Sequence, residues 1–182
     1  MNLQSTVTLN NGVAMPIFGL GVFRASEGEE VENAILKAIE VGYIHIDTAA
    51  VYGNEKGVGQ AVRRSGLARN DIFITTKVWN SDQGYASAMK AFDQSIDRLG
   101  MDYVDLYLIH WPKGPLSIET WKAMEEIYRS GRAKAIGVSN FLVHHLEELL
   151  PHCHVKPTVN QIEFHPWLQQ PELIKFCIDN GI

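Results

Sequence analysis

Basic clusters, disulfides and long apolar runs are all scarce in this chain. It holds two cysteines, Cys153 and Cys177, in 182 residues. That number fits no disulfide framework and points to a reducing compartment. Lysine and arginine total 16 against 21 aspartate and glutamate, for a net charge of −5. No stretch gathers the basic residues into a block, so neither a nucleic-acid nor an anionic-membrane partner is expected. No apolar run reaches the length of a bilayer span. The opening residues MNLQSTVTLNNG have neither the basic start nor the apolar core of a secretion signal. These absences predict a cytoplasmic protein. A glycine-rich G-x-G-x-x-G turn after the first strand, the mark of an open dinucleotide-binding sheet, is also missing. GLGVFRASEG stands there instead, and the two close glycines of GVGQAVRRSG fall inside a helical stretch.

What remains is an ordinary globular composition, with 46% apolar and 20% charged residues. The length supports one sizeable core. No linker, composition shift or low-complexity stretch divides it, so a single domain over 1–182 is expected. The HCH run at His152 to His154 reads as a polar connection after a helix. No second ligand cluster has metal-finger spacing, and no metal site is expected. TVTLNNGVAMP predicts a hairpin turning at Asn11-Gly12. After it, β-branched runs alternate with stretches of helical periodicity. The predicted strands are Phe18–Phe23, Tyr43–Ala49, Asp71–Trp79, Val104–Pro112, Ala133–Phe141 and Pro157–Pro166. The predicted helices lie near Glu29–Val41, Asn54–Ser65, Ala86–Leu99, Ile118–Ser130 and Leu142–Leu150. A last helix starts at Pro171 and runs to a stop at Asn180-Gly181.

Strict alternation implies a parallel sheet with helices outside it, either open or closed into an eight-unit barrel. The strand ends favour the barrel. Asp47 and then Tyr52 follow the second strand, Lys77 ends the third and His110 the fourth. Ser139 and Asn140 end the fifth, and Gln161 and Glu163 lie in the sixth. A barrel collects these polar groups in one mouth, where barrel active sites sit. An open sheet would leave most of them too far apart to cooperate.

The four groups Asp47, Tyr52, Lys77 and His110 form a plausible acid–base set. Tyrosine has a pKa of about 10 and is a poor acid at neutral pH. An ammonium beside it is expected to lower that value, and Lys77 could supply one. A buried lysine needs a partner, which Asp47 could be. His110 could donate a hydrogen bond to a substrate oxygen. Such a set suits protonation of an alkoxide as hydride reaches a carbonyl carbon. His45 faces the same side of its strand as Asp47. A metal site using His45, His110 and His165 is disfavoured by Lys77 in the same mouth, and His45 is read as a hydrogen-bonded core histidine.

The chain closely resembles the aldo-keto reductase family. GYIHIDTAAVYGNEKGVG (Gly42–Gly59) matches the family's first signature and MEEIYRSGRAKAIGVSNF (Met124–Phe141) its second. ITTKVW and LYLIHWP match the segments that hold the family's lysine and histidine. The short stretch between Trp111 and Trp121 resembles the compact substrate loop of bacterial members. The resemblance implies a (β/α)8 TIM barrel and an NADPH-dependent reduction of aldehydes or ketones, with NADH the lesser cofactor. It implies a tetrad of Asp47, Tyr52, Lys77 and His110, with Tyr52 as the acid. Ser139, Asn140 and Gln161 would bind the nicotinamide carboxamide, and Gly21 and Val22 would border the cofactor. Phe23, Trp79 and Trp111 would wall the substrate pocket, whereas Trp121 is read as core. A complete chain is expected to be a monomer.

The chain departs from the family pattern in two places. Ile44 stands where the family usually has arginine, and alternation points it away from the lumen, so little effect on catalysis is expected. The sequence stops at CIDNGI, after about six of eight strand–helix units. The third signature and the C-terminal substrate loop lie outside it. The expectation is therefore a C-terminally truncated barrel. Its alternative function is a catalytically inert unit that acts at most in binding or assembly.

Overall fold

A computed structural model of the chain describes residues 2–182. The predicted hairpin is present. Strands β1 (Thr6–Thr8) and β2 (Ala14–Pro16) pair antiparallel, with Val7 opposite Met15. The tip turns at Gly12, whose φ of +86° suits glycine. Leu9 of the hairpin packs on Phe73, Leu106, Leu108 and Ala135, inside the sheet that follows. Asn10 Nδ2 reaches the carbonyls of Pro157 and Gly181, both at 2.8 Å. The hairpin thus closes one end of the molecule.

Six parallel strands follow in sequence order: β3 (Leu20–Gly21), β4 (His45–Asp47), β5 (Phe73–Val78), β6 (Val104–Ile109), β7 (Ala133–Ser139) and β8 (Asn160–Gln161). Gly21 lies opposite Asp47, Asp47 opposite Thr75, Lys77 opposite Leu108, and Ser139 opposite Gln161. Gln161 Nε2 donates to Asp47 Oδ2 at 2.9 Å. Those residues sit on β8 and β4, four strands apart. At about 4.8 Å per strand, a flat sheet would separate them by roughly 19 Å. The sheet is therefore curled into a half-barrel. Period-two alternation sorts its side chains. Leu106 and Leu108 face inward with Phe73, while Ile74, Val78, Tyr107 and Ile109 face the helices.

The helices are α1 (Glu29–Glu40), α2 (Glu55–Arg64), α3 (Tyr85–Leu99), α4 (Pro115–Arg129), α5 (Val143–Leu149) and α6 (Pro171–Asp179). Helix α4 starts three residues earlier than its apolar pattern predicts, because Pro115 suits a first turn. The close glycines of α2 serve packing. A Cβ on Gly59 would lie 1.9 Å from the Leu99 carbonyl oxygen, and one on Gly57 would lie 2.5 Å from Val31 Cγ1. Only hydrogen there lets α2 approach α3 and α1 so closely. Trp121 is buried, as expected, and its indole N–H donates to the Val155 carbonyl. Among the described residues, no helix is long and apolar enough to cross a membrane.

The predicted strands shorten, and two of them shrink to two residues each. Phe18–Phe23 pairs only at Leu20–Gly21, and Pro157–Pro166 only at Asn160–Gln161. Both are edge strands with a single neighbour. Pro157 and Pro166 also lack the N–H that a longer ladder would use. After β8 the chain makes an isolated turn, with His165 bridged to Leu168.

Candidate active site

The predicted polar residues gather around one trough of about 440 Å³ at the carboxyl ends of the strands. Gly21, Asp47, Tyr52, His110, Ser139 and Gln161 are among those that line it. Lys77 is the last inward-facing residue of β5 and is 1% exposed. Its ammonium donates to Asp47 Oδ1 at 2.5 Å and to the Thr48 carbonyl at 2.9 Å. Desolvation lowers its pKa, and Asp47 opposes that shift. The other Asp47 oxygen is held by Gln161. Asp47 therefore has a charge-assisted bond on each oxygen, from residues 30 and 114 positions away.

Tyr52 ends a single 3-10 turn, Ala50–Tyr52, and Gly53 then turns the chain with φ of 69°. The phenol ring returns over the ion pair, with Lys77 Nζ 5.3 Å from its centroid. It meets the ring of His110 edge-on at 5.6 Å and that of Phe23 at 5.0 Å. The Tyr52 hydroxyl is pushed up to about 12, first by burial and then by the negative charge of Asp47. This corrects the expectation that Lys77 lowers it. The ammonium is bound directly to Asp47, whose own charge favours the neutral phenol as burial does. Burial then decides the direction.

His110 follows β6 and is buried. Burial, and secondarily the Lys77 charge, hold its pKa down at about 4, so the imidazole is neutral at pH 7. Among the described residues its Nδ1 has no hydrogen-bond partner, and Trp79 covers the ring edge-on at 5.1 Å. Asn140, in the left-handed region at φ 63°, donates from Nδ2 to the His110 carbonyl (2.9 Å) and to Ser139 Oγ (3.0 Å). His45 is half-buried at the base of the trough, with Nε2 3.0 Å from Thr75 Oγ1. Burial lowers its pKa. Among the described residues, no group of three or more His, Cys, Asp or Glu side chains could hold a metal ion.

The remaining predicted residues are spread more widely. Val22 has its side chain in the core at 2% exposure, so only its backbone can border the trough. Phe23 stacks on Tyr52 but is 63% exposed. Trp111 borders a separate cleft of about 230 Å³ with Phe141 and Leu173. Sequence reasoning missed the support behind the site. Buried Glu55 takes a hydrogen bond from Thr76, next to Lys77, and pairs with Arg98. Buried Asn54 joins Thr48 to the loop after β3. A signal existed in the run Tyr52–Glu55, where two polar residues, Asn54 and Glu55, follow Gly53 and open a helix.

A curled parallel sheet with its reactive side chains collected at the strand carboxyl ends defines the (β/α)-barrel class. The chain belongs to the aldo/keto reductase family, whose sequence profile matches residues 17–182. It is 55% identical over 181 residues to a glyoxal reductase of Bacillus subtilis, which matches all of this chain. The chain spans 66% of that relative's length. The crystal structure of an aldo/keto reductase from Brucella melitensis superposes with a TM-score of 0.95 at 53% identity, over 97% of this chain and 70% of that one. A Bombyx mori aldo-keto reductase solved in complex with NADP superposes at 0.92 with 36% identity, over all of this chain and 65% of that one.

Proposed function

We propose that the site reduces aldehydes or ketones to alcohols, with hydride from NADPH and the proton from Tyr52. The observation that carries this reading is the convergence on one trough of a protonated phenol, a Lys77–Asp47 ion pair and a neutral imidazole. Tyr52 keeps its proton at neutral pH. An alkoxide is about as basic as hydroxide and far more basic than a phenolate. A phenol near 12 therefore still gives up its proton downhill. Two Lys77 N–H bonds go to Asp47 and Thr48, which leaves the third for the phenolate oxygen left behind. The neutral His110 can donate its one N–H to the substrate oxygen without competing as an acid.

The polar end of the trough fits a nicotinamide carboxamide. Asn140 and Gln161 spend their N–H groups on a carbonyl and a carboxylate, and this fixes the orientation of both amides. Asn140 Oδ1 and Gln161 Oε1 are then acceptors for an amide NH2, and the Ser139 hydroxyl is a donor for its carbonyl. When bound there, the cofactor supplies hydride. The choice of NADPH follows the family resemblance, and the NADP complex of the Bombyx mori relative supports it. A small dicarbonyl such as glyoxal is a fitting first substrate, in line with the Bacillus subtilis relative.

The test is NADPH consumption with glyoxal and a panel of aldehydes and ketones. Turnover is expected, with a loss of about 10²–10⁴-fold in Tyr52→Phe, the range for removing a general acid. Failure of every carbonyl, or equal turnover by Tyr52→Phe, would overturn the reading. The second reading, an inert binding or assembly unit, draws on β3 and β8, which each have one neighbour, and on Trp167 at 92% exposure. Tight NADPH binding with turnover by the 182-residue chain would remove it.

A further inference from the structure

Phe23 lies over Tyr52, yet burial does not place it there. The ring is 63% exposed, and the next residue, Arg24, takes a left-handed backbone at φ 67°, uncommon for a residue other than glycine. Backbone bonds anchor the segment, Val22 N–H to the Asp47 carbonyl at 3.0 Å and Ala25 N–H to the Val22 carbonyl at 3.2 Å, and a buried side chain clamps the carbonyls on either side of Phe23 and Arg24. Val22 O and Ala25 O both accept from Asn54 Nδ2, at 2.9 and 3.0 Å. The Asn54 side-chain oxygen accepts from Thr48 Oγ1 at 2.7 Å. Both amide hydrogens are used, and the two carbonyls dictate which way the amide faces. Asn54 and Thr48 are each 0% exposed, so water does not compete.

Thr48 carries the connection onward. Its carbonyl receives Lys77, its amide donates to Thr75, and it directly follows Asp47. Asn54 itself comes two residues after Tyr52, beyond Gly53. We infer that Asn54 is a positioning residue: through Thr48 it locks the Phe23 loop and the Tyr52 turn onto the strand end that holds Asp47 and Lys77. It touches no reacting atom. Its consequence for turnover rests on the reductase reading, whereas its effect on the rings does not.

The test reads ring geometry by NMR in the full 182-residue chain, using labelled tyrosine with Tyr52 assigned through Tyr52→Phe. Thr48→Val keeps the shape but leaves Asn54 Oδ1 without a donor, and Thr48→Ser restores the hydroxyl. Asn54→Asp removes both donors to the Val22 and Ala25 carbonyls. The control is Thr158→Val, which deletes an equally buried hydroxyl-to-carbonyl bond, to Ile136, away from the site. Thr48→Val and Asn54→Asp are expected to lose the Tyr52–Phe23 contact. Thr48→Ser should retain it, and Thr158→Val should lower stability with the rings unmoved. If Asn54→Asp does not fold, Thr48→Val decides. Wild-type ring contacts in a folded Thr48→Val, or their loss in the control as well, would overturn the inference. If instead the rings move as expected and no carbonyl is ever reduced, the reductase reading fails and the positioning role stands.

Discussion

The floor and the mouth of the curled sheet are built by the same strands, two to four residues apart. Along β5 the inward side chains run Phe73, Thr75, Lys77, from the apolar cluster under the hairpin to the ion pair at the trough. Along β6 the run Leu106, Leu108, His110 makes the same change. The floor buries leucine and phenylalanine against Leu9. At the mouth an ammonium, a carboxylate and an imidazole are held close together, and each is partnered or kept neutral. Apolar burial stabilises the chain at one end, and at the other the desolvated charges work against stability.

Single substitutions can break this contrast. Lys77→Met should have the largest effect, because it leaves Asp47 without its counter-charge. A cost of about 3–5 kcal/mol is expected for breaking a buried pair, together with loss of carbonyl reduction. Adding Asp47→Leu should recover most of the stability and none of the activity, as denaturant titration and NADPH consumption would show. A double variant as unstable as the single one would mean that the mouth, too, is there for stability. At the floor, Leu108→Ala should cost about 2–5 kcal/mol in the same titration and leave the Tyr52 and His110 ring contacts in place.

A smaller effect separates the two ends by pH. His110 is neutral in the folded chain down to about pH 4, against about 6.5 for an ordinary histidine. As pH falls through that window the unfolded chain takes up the proton first, so stability falls with pH between about 6.5 and 4. His110→Gln should flatten part of this slope, measured as denaturant midpoint against pH, and the lowered pKa of His45 should leave a remainder. The smallest effect is expected for Ile44→Arg. Ile44 is half-buried and joins the sheet through its carbonyl, which accepts from the Phe73 amide. A stability change within about 0.5 kcal/mol is expected, with unaltered turnover.

Much of this plan was legible in the chain. Short β-branched runs located the central strands, which are buried on both faces, and helical periodicity located the helices, each of which buries one face. The edges were not legible. The run from Pro157 to Pro166 reads as a strand, but only Asn160–Gln161 enters the ladder beside β7. Alternation alone would have turned the Val22 side chain away from the trough, toward the helices, between Gly21 and Phe23. The tetrad of Asp47, Tyr52, Lys77 and His110 stood out through residue type at strand ends, and the structure brings its members to one place. Asn54 and Glu55 lie within the first signature, but local spacing gives neither of them a structural role. Only their complete burial reveals them as internal struts.

By itself the sequence determined the order of elements, the family and the side chains able to carry proton chemistry, since these depend on residue type and local spacing. The curl of the sheet, the grip of Gln161 on Asp47 and the direction of the Tyr52 shift were decided by tertiary structure alone. Each depends on the distance and solvent exclusion between residues far apart in the chain, and one-dimensional spacing contains neither.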